Sequence, residues 1–159
     1  MEQSAQIAFS NPDRPDVISA RADGPACHQA LLTLTLRDPE GRLLWHHSAP
    51  YQGLATMGLE EHRDTPVSRE AIERFLAQWI EPRRQTANQA PEWPEGVTRL
   101  EDVDVGGGTS WTRYERGDYE AARARNAPML CFDIGWEASE CIVMSQSGRA
   151  AFPLFGHGV

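Results

Sequence analysis

Residues 30–47 read ALLTLTLRDPEGRLLWHH, and this stretch decides the fold class. Through Leu32, Thr33, Leu34, Thr35 and Leu36, apolar and polar residues alternate. That period of two sends one face of a strand into a core and the other into water. Asp38-Pro39-Glu40-Gly41 supplies turn chemistry, because proline presets φ and glycine accepts a positive φ. Leu43 to His47 then resumes an extended pattern, so the stretch predicts an antiparallel hairpin. A four-residue loop sets Leu36 opposite Leu43, Leu34 opposite Trp45 and Leu32 opposite His47 on one face. Thr33, Thr35, Arg37 and His46 fall on the other, more polar face.

Upstream, Ile7 to Phe9 and Val17 to Ala20 are short extended segments separated by the turn residues Asn11-Pro12 and Pro15. Downstream, Val67, Ala71, Ile72, Phe75, Leu76 and Trp79 recur at helical spacing. Thr65 suits the N-cap of this helix and Pro66 its first position, where a missing N–H costs nothing. Glu70 and Arg74 are placed to pair at i,i+4. The apolar stripe reads as a face that covers a sheet, not as a cofactor site.

Residues 82–96 hold Pro82, Pro91 and Pro94 and read as a long loop within one domain spanning 1–159. Leu100 to Val105 reads as a strand. A second, shorter helix is expected from Asp118 as N-cap to about Asn126, where Pro128 stops it. Met129 to Ile134, Cys141 to Ser145 and Ala150 to Phe155 form a three-strand meander. Strand runs at both ends with helices between them predict an α+β fold, in which an antiparallel sheet made of a hairpin and a C-terminal meander packs against one main and one shorter helix.

Composition removes several function classes. A net charge of -8 over 159 residues disfavours the clustered cations that nucleic-acid backbones require. No apolar run approaches the ~20 residues of a membrane helix. The polar start, Met1 to Gln6, has neither the basic nor the apolar region of an export leader. All 15 basic residues are arginine. Schiff-base catalysis, pyridoxal-phosphate attachment and a phosphate-loop lysine are therefore excluded.

A turn centred on Trp136 places Cys131 directly opposite Cys141, with Cβ atoms close enough for a disulfide if the pair is of the nearer, non-hydrogen-bonded kind. The competing reading is two buried thiols acting as small apolar side chains. An oxidised pair points to the periplasm or the cell exterior, and a reduced one leaves a cytoplasmic location open. Cys27 is left over, or is the true partner of one of the other two.

Three groups of residues carry candidate chemistry. His28 and His47 are expected near one end of the hairpin's apolar face, with Tyr51 and Cys27 close in sequence. With a carboxylate from the Glu60, Glu61 and His62 loop they would suit zinc or acid–base work. No HxxxH or CxxC spacing supports a metal, so neither a metal site nor a cofactor is expected. Glu101-Asp102 and Asp104 resemble the start of a calcium loop, but Gly106 stands at the third carboxylate position and Arg113 where a bidentate glutamate is needed. Arg113, Arg116, Tyr119 and Arg123 form a basic, aromatic patch able to grip a carboxylate; a solvated helix face paired with its own glutamates explains the same pattern. Ser110, in Gly-Thr-Ser-Trp, does not sit in a nucleophile elbow.

Two function classes fit these residues. One is a small exported binding or accessory domain for a protein or a small anionic ligand. The other is a small metal-dependent or hydrolytic enzyme built on His28 and His47.

Overall fold

The computed structural model describes residues 1–55, 67–100, 103–104, 109–135 and 138–158. The architecture is α+β, with two antiparallel sheets and helices packed against them. The first sheet has the order β1 (Glu2–Ile7), β2 (Asp16–Asp23), β3 (Leu31–Arg37), β4 (Leu43–Pro50). The second has the order β5 (Arg83–Thr86), β8 (Pro128–Gly135), β9 (Ala138–Met144), β10 (Ala151–Gly158), β7 (Thr109–Trp111), β6 (Val103–Asp104). Helices α1 (Tyr51–Ala55) and α2 (Arg69–Trp79) come between β4 and β5, and α3 (Arg116–Ala124) between β7 and β8.

The hairpin forms on the expected face but in a register two residues away from the expected one. Leu36 faces Trp45, Leu34 faces His47 and Leu32 faces Ala49. The difference arises at the turn. Asp38 Oδ1 accepts the N–H groups of Glu40 and Arg42, its Oδ2 accepts Arg42 Nε, and Gly41 adopts φ +82°. This five-residue loop ends in a bulge that leaves Leu44 as an extra residue, so Leu44 and Trp45 both turn inward. A shift of two keeps the parity, and Leu32, Leu34 and Leu36 are all fully buried.

Ala22, Ala20 and Ile18 of β2 lie opposite those leucines. The small alanines leave room for α2, which crosses β1 and β2 and buries Ile72 and Leu76 there. The first strand is Glu2–Ile7 and not Ile7–Phe9. Phe9 belongs to the turn, where the buried Asp16 carboxylate accepts the backbone N–H groups of Phe9 and Ser10 and the Ser10 hydroxyl.

Helix α2 starts at Ser68, whose side chain accepts the Ala71 N–H at 3.1 Å. That capping bond replaces the cap expected from Thr65; Thr65 and Pro66 lie outside the described residues. On α2 the Arg69–Glu73 pair closes at 2.9 Å, and the Arg74 charge also acts on Glu70 as the i,i+4 spacing expects. Helix α3 begins at Arg116, two residues before Asp118, and stops where Asn126 takes φ +50° ahead of Pro128. The segment 82–96 is not all loop, because β5 occupies Arg83–Thr86 and pairs with β8. Of the strand expected at 100–105, Val103–Asp104 is extended, and Leu100 is buried ahead of it.

The second sheet is covered on both faces. Leu130, Phe132 and Ile142 face the first sheet and α2, where Phe132 stacks on Trp45 at 5.0 Å between ring centroids. Met129, Cys131, Cys141 and Val143 face a second core with Trp93, Leu100 and Tyr119. Burial on both faces explains why the sequence from Met129 to Phe132 is continuously apolar instead of alternating. The meander follows the expected order, and Cys131 and Cys141 are paired in register and joined by a disulfide across a Cα separation of 4.0 Å. Cys27 is a free thiol. Among the described residues no helix is long and apolar enough to cross a membrane.

Candidate functional site

The second sheet is laid out in cross-strand rows, and two of them form the floor of a cleft. In one row Cys131 pairs with Cys141, and Cys141 pairs with Phe155. In the next, Asp133 pairs with Ser139, Ser139 with His157, and His157 with Ser110, running across β8, β9, β10 and β7. Directly opposed residues of antiparallel strands share a face, so each row presents its side chains together. Toward the other end of this face, α3 and the segment 87–100 cover Met129 and Val143.

The cleft has a volume of about 920 Å³. Its floor is formed by Arg83 of β5 and the two rows as far as His157, with Ser110 buried behind it; its wall by Tyr51 and Leu54 of α1 and Arg74, Phe75 and Gln78 of α2. Such a volume lies in the range of small-molecule sites, roughly 300–1,000 Å³. Tyr51 and Phe75 meet edge-to-face at 6.0 Å. Burial raises the Tyr51 phenol above its ordinary value, against the opposing pull of the Arg74 charge, so the hydroxyl is neutral.

The polar groups in and behind the cleft differ in how firmly they are held. Ser110 is fully buried, and its Oγ lies 3.1 Å from His157 Nδ1, fixing the imidazole by that edge. Arg83 and Asp133 approach at 3.8 Å, with side chains 61% and 74% exposed. Pairs this open contribute at most about 1 kcal/mol, because water competes for both charges. Arg74 and Arg83 against Asp133 make the cleft locally cationic on a chain of net charge -8.

The residues singled out from sequence are distributed differently. Tyr51 lines this cleft. His28 is exposed in a short 3-10 turn, Cys27–Gln29, before β3. His47 stands opposite Leu34, stacked on Trp45 and edge-on to Trp79, each at 6.2 Å. It is a packed side chain, and neither histidine lines the cleft. Residues 60–62 and most of the acidic Gly-rich stretch at 101–108 lie outside the described residues. Among the described residues no group of three or more His, Cys, Asp or Glu side chains is placed to hold a metal ion.

In the basic patch, Tyr119 is fully buried and donates its hydroxyl to the Pro91 carbonyl at 2.8 Å; burial pushes its pKa up to about 12. Arg123 donates to the Ala90 and Asn88 carbonyls. Both fasten the Pro-rich segment to α3. Arg116 pairs with Glu120 at 2.8 Å, and Arg113 is exposed.

His47 makes stability depend on pH. Its Nε2 is buried without a hydrogen-bond partner, and burial, then the neighbouring His46 charge, lowers its pKa. The folded state therefore favours neutral His47. Its contribution is complete above the ordinary histidine value near 6.5 and is lost as pH falls from there toward the lowered folded value. We expect the melting temperature to fall more between pH 7.5 and 5 in the wild type than in His47→Gln. Parallel thermal melts across that range check this, and superimposable slopes would contradict it.

No functional sign of Arg83, Asp133, Ser139 or His157 stands in the sequence, which marks Arg74 only as a helix-surface charge. These residues carry no motif, and only the strand register and the placement of α1 and α2 beside the sheet bring them together. The fold and site define an α+β protein with a polar, arginine-lined cleft on a cross-linked sheet. In comparisons of sequence and of structure, no family model, no curated protein and no solved structure matches the chain.

Proposed function

We propose that this chain is an exported binding domain that captures a small ligand through its carboxylate in the cleft between α1–α2 and the second sheet. The observation that carries the proposal is the pair of guanidinium groups, Arg74 on the wall and Arg83 on the floor, at one concave site of an acidic protein. Guanidinium forks bind carboxylates with two parallel hydrogen bonds, and a concave, partly apolar surround strengthens them by excluding water. The Cys131–Cys141 bond supports both parts of the reading. It stiffens the floor beneath the ligand, and disulfides persist in oxidising compartments.

The test is calorimetric titration with 3-phenylpropionate, whose ring suits Phe75 and Phe155 and whose carboxylate suits the arginines. Saturable binding is expected, weakened about tenfold in Arg83→Gln and further when Arg74→Gln is added, since a charge-assisted hydrogen bond contributes about 1.5–3 kcal/mol. No saturable binding by the wild type would overturn the proposal. An affinity unmoved by either replacement would remove the arginines from the site.

A further inference from the structure

The charged groups of the cleft carry more than the arginines alone use, and they point to the ligand's chemical class. Arg83 and Asp133 stand on neighbouring strands, 3.8 Å apart, each more than half exposed and each at the cleft. Opposite charges this close, and this loosely engaged, match a ligand that carries an anionic and a cationic group on a single atom. An α-ammonium and an α-carboxylate share one carbon, which is the closest spacing two such groups take in a small molecule. The contact between Arg83 and Asp133 would then be exchanged for two contacts to the ligand, so neither charge is left without a partner.

The rest of the cleft describes the third substituent. Tyr51, Leu54, Phe75 and Phe155 give it an apolar wall and floor, and its volume exceeds what an amino-acid head group alone would fill. His157, held by Ser110, and Ser139 lie beside Asp133 in the same row and offer further polar contacts to the head group.

We infer that the cleft is a receptor site for a free α-amino acid with a large apolar side chain, Arg83 taking the carboxylate, Asp133 the ammonium, and the Phe75–Phe155 region the side chain. This rests on the carboxylate-binding reading and specifies it.

Three probes that differ only in the head group test it by calorimetry at pH 7: phenylalanine, 3-phenylpropionate without the ammonium, and phenethylamine without the carboxylate. Phenylalanine is expected to bind at least about tenfold more tightly than either, the size of one charge-assisted contact. Asp133→Asn is expected to bring phenylalanine to within about threefold of 3-phenylpropionate while leaving 3-phenylpropionate little changed. The Asp133 side chain is largely exposed, so the replacement spares the fold, and its backbone carbonyl, which holds Trp79, is retained. Equal affinities for phenylalanine and 3-phenylpropionate in the wild type would overturn the amino-acid assignment and leave carboxylate binding standing. So would a preference that survives Asp133→Asn. Binding of none of the probes would overturn both.

Discussion

Replacement of Trp79 by alanine is expected to lower the stability by about 3–5 kcal/mol, as large aromatic truncations in a core do. Trp79 is 5% exposed at the C-terminal end of α2. Its ring meets His47 of the first sheet edge-on and Phe75 of its own helix at 5.4 Å. Its Nε1 donates to the Asp133 carbonyl of the second sheet at 2.9 Å. One side chain thus ties both sheets to the helix that walls the cleft. Alanine would leave a cavity, a carbonyl without its donor and a helix end without its anchor. Trp79→Phe keeps most of the packing and loses the hydrogen bond, so it should cost well under half as much. Urea denaturation followed by far-UV circular dichroism measures both. A Trp79→Ala cost below about 1 kcal/mol, typical of a surface site, would show that α2 is not packed as described.

Loss of the Cys131–Cys141 bond is expected to cost about 2.5–3 kcal/mol, the loop-entropy value for its sequence separation of 10. Cys131→Ala with Cys141→Ala keeps the site apolar and avoids placing hydroxyl groups in the second core. For a chain of this size that change corresponds to a fall of about 5–12 °C in melting temperature. Reducing agent should shift the wild type toward the double variant and leave the double variant itself unmoved. Thiol titration of denatured, unreduced protein should find the single thiol of Cys27. Three thiols would contradict the bond and withdraw the main support for export.

Much of the secondary structure is legible in the chain because it rests on local periodicity and turn chemistry. The alternation from Leu32 to Leu36 specifies a half-buried strand, and the spacing of Ile72, Leu76 and Trp79 specifies a covering helix. The Cys131–Cys141 pairing follows from counting residues around a short turn. What local pattern misplaced were the details that side chains settle. Asp38 binds three donors and lengthens the first turn into a bulge. Ser68 caps α2, and Arg83–Thr86 becomes a strand only because β8 offers it an edge. Where His47 sits, opposite Leu34 and between two tryptophans, follows from the hairpin register and from α2, neither of which local pattern specifies. Tyr119 donates its hydroxyl to the Pro91 carbonyl and Arg123 its Nε to that of Ala90, long-range contacts that spacing on one helix does not reveal.

The sequence by itself determined the α+β class, the hairpin and meander and the covering helix, and it placed Cys131 opposite Cys141, since each depends on neighbours within about ten positions or on a period of two or 3.6 residues. That this pair is bonded and Cys27 is free was decided by the structure. Only the tertiary structure decided the cleft. Asp133, Ser139, His157 and Ser110 come from four strands and share one row through pairing registers that hydrogen bonds set at long range. Arg74 joins them as part of the cleft wall, from a helix whose main contacts are with β1 and β2 of the first sheet. A composition of net charge -8 gives no sign that arginines converge at one concave point, because charge counting averages over a surface that folding divides.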